Sequence, residues 1–335
     1  MLQKQKIIIT LSLLFVTLSA SSQEKSIYNL AKLPAFSNPA FHAFKEKTKL
    51  GVASEFVSNN TNGDYSQQNY AYGSTFFENY NFQLSLDLYN NQLNTAGYNY
   101  TTGYLTYGYK IRVNRDWTVF PSASLGYSTY RFNFSQLVFQ DQLDVLRNRI
   151  RSVTSDPIAV EDAIGYFDMG ASFMAHNDRN TVFGFSIKHL NRPNLQSREE
   201  EQNITLDMLF SAQYGYELNL NPYGQSGLPP YTYLFFFSNL SKQGQNMRLN
   251  LYQEITLQNF SFGINQHLNF LESANFTEIG IAAGLTLNKF EFGINYLLPF
   301  GEQAQFIVPR SLELFLQFDL SSLSQRRRKD FSRFY

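Results

Sequence analysis

The chain contains no cysteine. That excludes disulfides as a source of stability, and it excludes anchoring through a lipidated N-terminal cysteine. Charge is scarce, at 16% of residues, and 27 basic side chains balance 27 acidic ones. Such a balance gives no reason to expect nucleic acid as a partner. After the N-terminus no stretch approaches the roughly 18 apolar residues that a transmembrane helix needs. A mean hydropathy of -0.30 is likewise too polar for a helical membrane protein. Glycine-rich phosphate loops are missing, and the glycines stand singly inside apolar–polar alternations. The four histidines, His42, His176, His189 and His267, form no H-x-x-x-H or H-E-x-x-H arrangement. Ser186 and His189 sit at a spacing that places them on opposite faces of one strand, so no Ser-His-acid triad is marked. Asp141, Asp144, Asp156, Glu161 and Asp162 lack the spacing of a calcium loop. These absences point away from an enzyme and imply neither cofactor nor metal.

What the chain has in abundance is aromatic residues, 32 Phe and 22 Tyr. High aromatic content with little charge suits a transmembrane β-barrel, whose alternate residues face lipid and a polar lumen and whose ends carry aromatic girdles. Period-2 alternation recurs nearly to the C-terminus. Phe82, Leu84, Leu86 and Leu88 oppose Gln83, Ser85 and Asp87, and Phe290, Phe292, Ile294 and Tyr296 oppose Glu291, Gly293 and Asn295. Leu206, Met208 and Phe210 alternate with Asp207 and Ser211, and Leu312, Leu314 and Leu316 with Glu313 and Gln317. Helical spacing is lacking in these segments, so they are strands. The alternation predicts about 14 of them, each long enough to cross a bilayer when tilted. They cover 48–57, 69–78, 80–89, 98–111, 117–131, 165–175, 180–189, 203–217, 230–239, 246–257, 259–268, 274–287, 289–298 and 306–319.

Longer connections, such as 58–68, 132–164, 190–202 and 240–245, alternate with tight turns, such as Asn79, Asn177-Asp178-Arg179 and Asn288; only 218–229 departs from the rule. The fold expected is an all-β, antiparallel up-and-down barrel, with both termini and the short turns on the periplasmic side. A soluble β-sandwich also alternates, but with shorter strands around one compact core. Asp87, Asp207, Glu254, Glu291 and Glu313 fall on the lumen face, as an ion path or simply as the polar interior of the barrel.

Four segments follow. Residues 1–22 read as a signal peptide: Lys4 and Lys6, an apolar run from Ile7 to Leu18, then Ala20-Ser21-Ser22 before Gln23. Residues 23–47 form an N-terminal periplasmic or plug segment, 48–319 the barrel, and 320–335 a basic periplasmic tail. The address is the outer membrane of a Gram-negative cell. Inside the loop 132–164, Leu143, Leu146 and Ile150 recur at helical spacing from Gln142 to Arg151. Such a helix either closes the barrel top or docks a protein partner through its apolar stripe. The tail carries Arg326, Arg327, Arg328 and Lys329, a run that is solvated or suited to an acidic periplasmic partner.

Three places resemble the PorP/SprF family of the Bacteroidetes type IX secretion and gliding machinery. They are Tyr28-Asn29 through Pro34 to Asn38-Pro39-Ala40-Phe41, Phe134 to Asp144 leading into Phe167-Asp168-Met169-Gly170-Ala171, and Val182 to Pro193 with its H-L-x-x-P turn. The sequence departs from the family at Ala40-Phe41-His42, where a small residue and glycine are usual. The resemblance carries over no catalytic residue. It implies an outer-membrane barrel that assists export or surface anchoring of a secreted adhesin-like cargo with a C-terminal sorting domain. Periplasmic lipoprotein and motor components of the secretion machine are implied as further partners, beside outer-membrane lipid. The competing reading is a porin or a transporter of lipid or small molecules.

Overall fold

The computed structural model describes residues 29–58, 65–93, 97–132, 142–144, 149–150, 163–177, 179–195, 205–224, 227–270, 274–300 and 310–321. Fourteen long strands form one antiparallel sheet. They are β1 (Lys49–Ser58), β2 (Tyr65–Phe77), β3 (Phe82–Leu93), β4 (Tyr98–Tyr109), β5 (Trp117–Phe132), β6 (Ala163–Asn177) and β7 (Thr181–Lys188). The second half comprises β8 (Leu209–Asn219), β9 (Thr232–Gln243), β10 (Asn246–Leu257), β11 (Phe260–Phe270), β12 (Ala274–Leu287), β13 (Phe290–Pro299) and β14 (Arg310–Asp319). Each strand pairs with its neighbours in sequence, and β1 pairs with β14 from Lys49↔Asp319 to Ser58↔Arg310. The sheet is therefore a closed barrel without an edge, which satisfies every ladder of backbone donors internally, as lipid demands.

The side-chain pattern is inverted relative to a soluble protein. Leu88, Leu125, Phe167, Phe262, Ile281, Phe292 and Leu314 are exposed on the outside. Glu55, Gln83, Glu254, His267, Asn295 and Glu313 are fully buried inside. At the end carrying the short turns, outward aromatics pair across strands: Phe77 with Phe82 at 4.6 Å, Phe82 with Tyr107 at 5.6 Å, and Phe290 with Phe318 at 4.5 Å. This is the girdle expected at a membrane interface.

Curvature is accommodated by glycine under aromatic rings. Gly293 lies directly opposite Phe315, whose ring occupies the space a Cβ would take. Gly126 stands in the same relation to Tyr104. Cross-strand cover of this kind compensates the weak intrinsic strand preference of glycine.

Four expectations need correction. The described ends of the expected helix are strand and not helix: Leu143–Asp144 pairs antiparallel with Arg149–Ile150, placing Leu143 opposite Ile150. A ten-residue stripe alone hardly meets the nucleation cost of an isolated helix, and Leu143 and Ile150 are both exposed and so contribute no packing to offset it. Asp207 is not on the lumen wall. Strand β8 starts only at Leu209, and Asp207 lies before it in an ion pair with Arg192 at 3.3 Å. Ser186 and His189 are not on opposite faces of one strand: β7 ends at Lys188, His189 follows it with φ 59°, and both side chains are buried. Finally, 240–245 is no long loop. Strand β9 runs on to Gln243, paired with Asn246 across a turn opened by Gly244 at φ 55°.

Candidate functional site

Inside the barrel runs the chain from Asn29 to Lys47. Its first helix, α1 (Pro34–Ser37), opens on a proline, whose fixed φ suits the first helical position. A 3₁₀ segment, Pro39–Glu46, follows at once, with Asn38 between them. The Asn38 side chain accepts a hydrogen bond from the Ala40 N–H at 3.1 Å, capping the second turn. The same side chain donates to the Phe173 carbonyl at 3.1 Å and to Gln213 Oε1 at 2.9 Å. An Asn-Pro-Ala sequence thus caps a helix and fastens it to two strands. Gly184 makes the approach possible: a Cβ there would come within 2.6 Å of the Phe41 ring and 2.7 Å of Asn38 Nδ2.

The segment touches walls all around the barrel. Toward β9 and β8, Ser37 Oγ donates to Asn239 Oδ1 at 3.0 Å and accepts from Gln213 Nε2 at 2.8 Å. On β7, Ser186 Oγ donates to the Ser37 carbonyl at 2.8 Å and Lys188 Nζ to the Phe36 carbonyl at 3.0 Å. Phe36 packs edge-on to Tyr70 and Tyr89, each at 5.2 Å, with the Lys188 ammonium 4.9 Å from its ring centre. His42 Nε2 pairs with Asp87 Oδ1 at 2.8 Å, and Asp87 also accepts from the Tyr70 hydroxyl.

The largest electrostatic feature is Lys32. Its ammonium lies 2.8 Å from Glu254 and 3.1 Å from Glu291, and it also donates to Ser261 Oγ at 3.3 Å. The Lys32 and Glu254 side chains are almost wholly buried, whereas Glu291 is about one third open. Burial of this kind is tolerated because the charges are paired and hydrogen-bonded. Two cavities adjoin the segment, one of about 230 Å³ near Lys32 and Lys49 at the turn end and one of about 30 Å³ beside Phe36.

A second buried histidine cluster lies in the wall. His189 Nδ1 is 2.6 Å from Asp168 Oδ2, which also accepts from the Tyr104 hydroxyl. Ser186 takes no part in it, being committed to Ser37. Among the described residues no group of three metal-ligating side chains converges.

Of the partner-binding residues marked by sequence, Leu143 and Ile150 are exposed and adjacent in their hairpin. Leu146, Arg326, Arg327, Arg328 and Lys329 lie outside the described residues, as do residues 1–22, where the sequence reading expects a signal peptide. Glu254, Glu291 and Glu313 do face the lumen, but they hold the chain's own N-terminal segment: the Asn29 N–H donates to Glu313 Oε2 at 3.0 Å. Sequence reasoning missed Lys32 in this role. Its isolation among Leu30, Ala31 and Leu33 was the available signal, since lumen carboxylates need a cation nearby.

A family model described as "Type IX secretion system membrane protein PorP/SprF" matches residues 20–318. A search of the curated proteins by sequence finds no match. Among solved structures, the fold is similar to a deletion mutant of the monoaromatic hydrocarbon channel TodX, with TM-score 0.50, 8% identity, and coverage of 90% of this chain and 96% of that one. The Pseudomonas putida toluene transporter TodX matches at TM-score 0.48 and 7% identity, covering 85% of this chain and 93% of that one. Outer membrane protein Omp33 of Acinetobacter baumannii matches at TM-score 0.46 and 9% identity, covering 82% and 98%. The family match takes in the lumen segment and nearly the whole barrel, and on that ground this chain belongs to the PorP/SprF family of type IX secretion system membrane proteins and is an outer-membrane β-barrel.

Proposed function

We propose that this barrel assists the export and surface anchoring of a secreted, adhesin-like cargo bearing a C-terminal sorting domain, and that its lumen is not the path of that cargo or of any solute. The observation that carries the reading is the occupied lumen, with Asn29–Lys47 bonded to walls on opposite sides. A closed, braced barrel suits a membrane anchor, whose working surfaces are its loops. The exposed Leu143–Ile150 pair offers an apolar contact at the loop end, beyond the bilayer. At the opposite end, where β14 finishes, the basic tail 320–335 with Arg326, Arg327, Arg328 and Lys329 suits acidic periplasmic lipoprotein or motor components. Delivery to this site rests on cleavage of 1–22 as a signal peptide. A porin or transporter reading requires the lumen segment to leave.

The test has two arms. Purified full-length protein in a planar bilayer is expected to show no sustained ion conductance, and a cargo sorting domain fused to a soluble reporter is expected to co-purify with the barrel. Stable open-channel conductance of the unmodified chain, without co-purification, overturns the proposal in favour of transport.

A further inference from the structure

The membrane-facing wall is not uniformly apolar. Across β1 to β4 one row of outward side chains reads Ser54↔Asn69↔Asn90↔Thr101, and the next row toward the loop end contains Gln67, Gln92 and Asn99. Their sequence neighbours Ala53, Gln68, Tyr70, Tyr89 and Tyr100 are buried, so these seven side chains point toward lipid. The row lies in the loop-side half of these strands, with Asn90 and Thr101 each three residues from the loop end of β3 and β4. Leu314 faces Ser54 from β14, and Phe56 and Tyr65, both exposed, stand further toward the loop end.

The polar side chains bond to one another. Ser54 Oγ donates to Asn69 Oδ1 at 2.8 Å, Gln67 Nε2 to Asn69 Oδ1 at 3.2 Å, and Asn90 Nδ2 to Asn99 Oδ1 at 2.7 Å and Thr101 Oγ1 at 2.9 Å. These bonds use part of the capacity of each amide, which has two donors and two acceptor sites. Hydrocarbon supplies no partner for what is left over. The same outer wall holds a bay of about 980 Å³, whose apolar lining includes Val52, Ala71, Leu88, Ala283, Phe292 and Leu314. Ser54, Asn69, Asn90 and Thr101 of the polar row belong to the same lining. Two exposed arginines flank the polar rows: Arg131 opposite Asn99 and Arg310 opposite Ser58.

We infer that this bay binds an outer-leaflet glycolipid with a phosphorylated sugar headgroup, of the lipid A type. Acyl chains fill the apolar bay, sugar hydroxyl and amide groups meet the uncharged amide rows, and phosphates meet Arg131 and Arg310. The neutral rows favour a sugar over a simple phospholipid headgroup, which presents one phosphate and few hydroxyls. The flanking cations favour an anionic lipid over a neutral one.

The experiment is native mass spectrometry of the full chain in mild detergent, titrated with lipid A or with phosphatidylethanolamine. Lipid A is expected to bind at least about tenfold more tightly than phosphatidylethanolamine. Asn69→Leu with Asn90→Leu is expected to remove about that tenfold preference, with heat-modifiable gel mobility retained. Ser238→Leu, an outward change on the far wall, leaves the preference intact. Arg131→Gln with Arg310→Gln weakens lipid A alone. If the double leucine variant fails to assemble, Asn69→Leu and its conservative counterpart Asn69→Gln decide between loss and retention. Equal affinity for the two lipids overturns the inference, as does a preference unaffected by the variants. So does a wild-type protein dimer that the variants dissociate without loss of bound lipid, which reassigns the rows to a contact between barrels.

Discussion

Replacing Lys32 with methionine tests the lumen segment most directly. Methionine keeps the length and the apolar stem but removes the ammonium, leaving Glu254 and Glu291 without the cation 2.8 Å and 3.1 Å away. Breaking a buried pair by deleting one partner costs about 3–5 kcal/mol, because a charge remains buried and uncompensated. Glu254 is shut off from solvent, but the Glu291 side chain is 31% exposed and can rehydrate, which places the effect near the lower end, about 3 kcal/mol. At about 1.4 kcal/mol per tenfold, the displaced population of the segment rises about a hundredfold.

The cysteine-free chain makes the readout clean. Ala35→Cys places the only thiol on α1 beside the residual cavities, where it is protected while the segment is seated. Maleimide labelling of the folded barrel reports the open fraction when closing outpaces reaction. K32M is expected to speed labelling about a hundredfold. Adding Glu254→Gln and Glu291→Gln removes the stranded charges and is expected to restore most of the protection. An unchanged rate in K32M, or no recovery in the triple variant, refutes the assignment of this cluster as the main tie.

Arginine at Phe292 or Leu314, both on the lipid face, is expected to cost about 2–4 kcal/mol near the bilayer midplane, read from the denaturant midpoint of the refolded barrel. Asn295→Arg, mild in an open lumen, is expected to be comparably harmful here, since Asn295 is fully buried and bonded to Asn265 at 2.8 Å. Gly293→Val drives a side chain into the Phe315 ring and is expected to cost about 1–3 kcal/mol by the same measurement. Serine at Leu143, Leu146 and Ile150 is expected to leave assembly intact and to lower the amount of cargo displayed at the cell surface. Removing 326–335 is expected to weaken periplasmic co-purification most at low salt, where exposed charges are least screened.

The barrel was legible because its signal is local and repeated: a lipid face and a lumen face force a period of two on strand after strand. The same signal misled where it was carried beyond the sheet. Leu206 and Asp207 continue the alternation of β8, yet the strand starts at Leu209, and Leu206 is buried instead of facing lipid. Leu143 and Ile150 satisfy a helical spacing as well as a hairpin pairing, and only a packing surface decides between them. The lumen contacts had no local signature. Lys32 meets Glu254 and Asn38 meets Gln213 across sequence separations of 222 and 175 residues, from a segment whose helices are too short to carry a periodic stripe.

Those long-range contacts gather where the barrel needs them. Pairing β1 with β14 joins the two strands furthest apart in sequence, so it carries the largest loop-closure cost of any seam. The lumen segment directly precedes β1, and several of its ties land on β14. The Asn29 N–H reaches Glu313, the Lys32 carbonyl accepts from Gln317 at 3.2 Å, and Lys47 pairs with Asp319 at 2.9 Å. Just past the strand ends, the Leu320 N–H donates to the Thr48 carbonyl at 2.8 Å, while the Thr48 N–H donates to Ser321 Oγ. Lys32 extends the clasp to Glu291 on β13, the next strand in. Opening the seam therefore breaks ladder bonds and lumen contacts together, and unseating the lumen segment loosens the seam. Under the proposed role this coupling matters, because load from a surface-held cargo acts on the barrel and the seam is where the wall lacks covalent continuity. A lumen filled from the N-terminal side reinforces that one joint, which a plug hung from a distant loop would not.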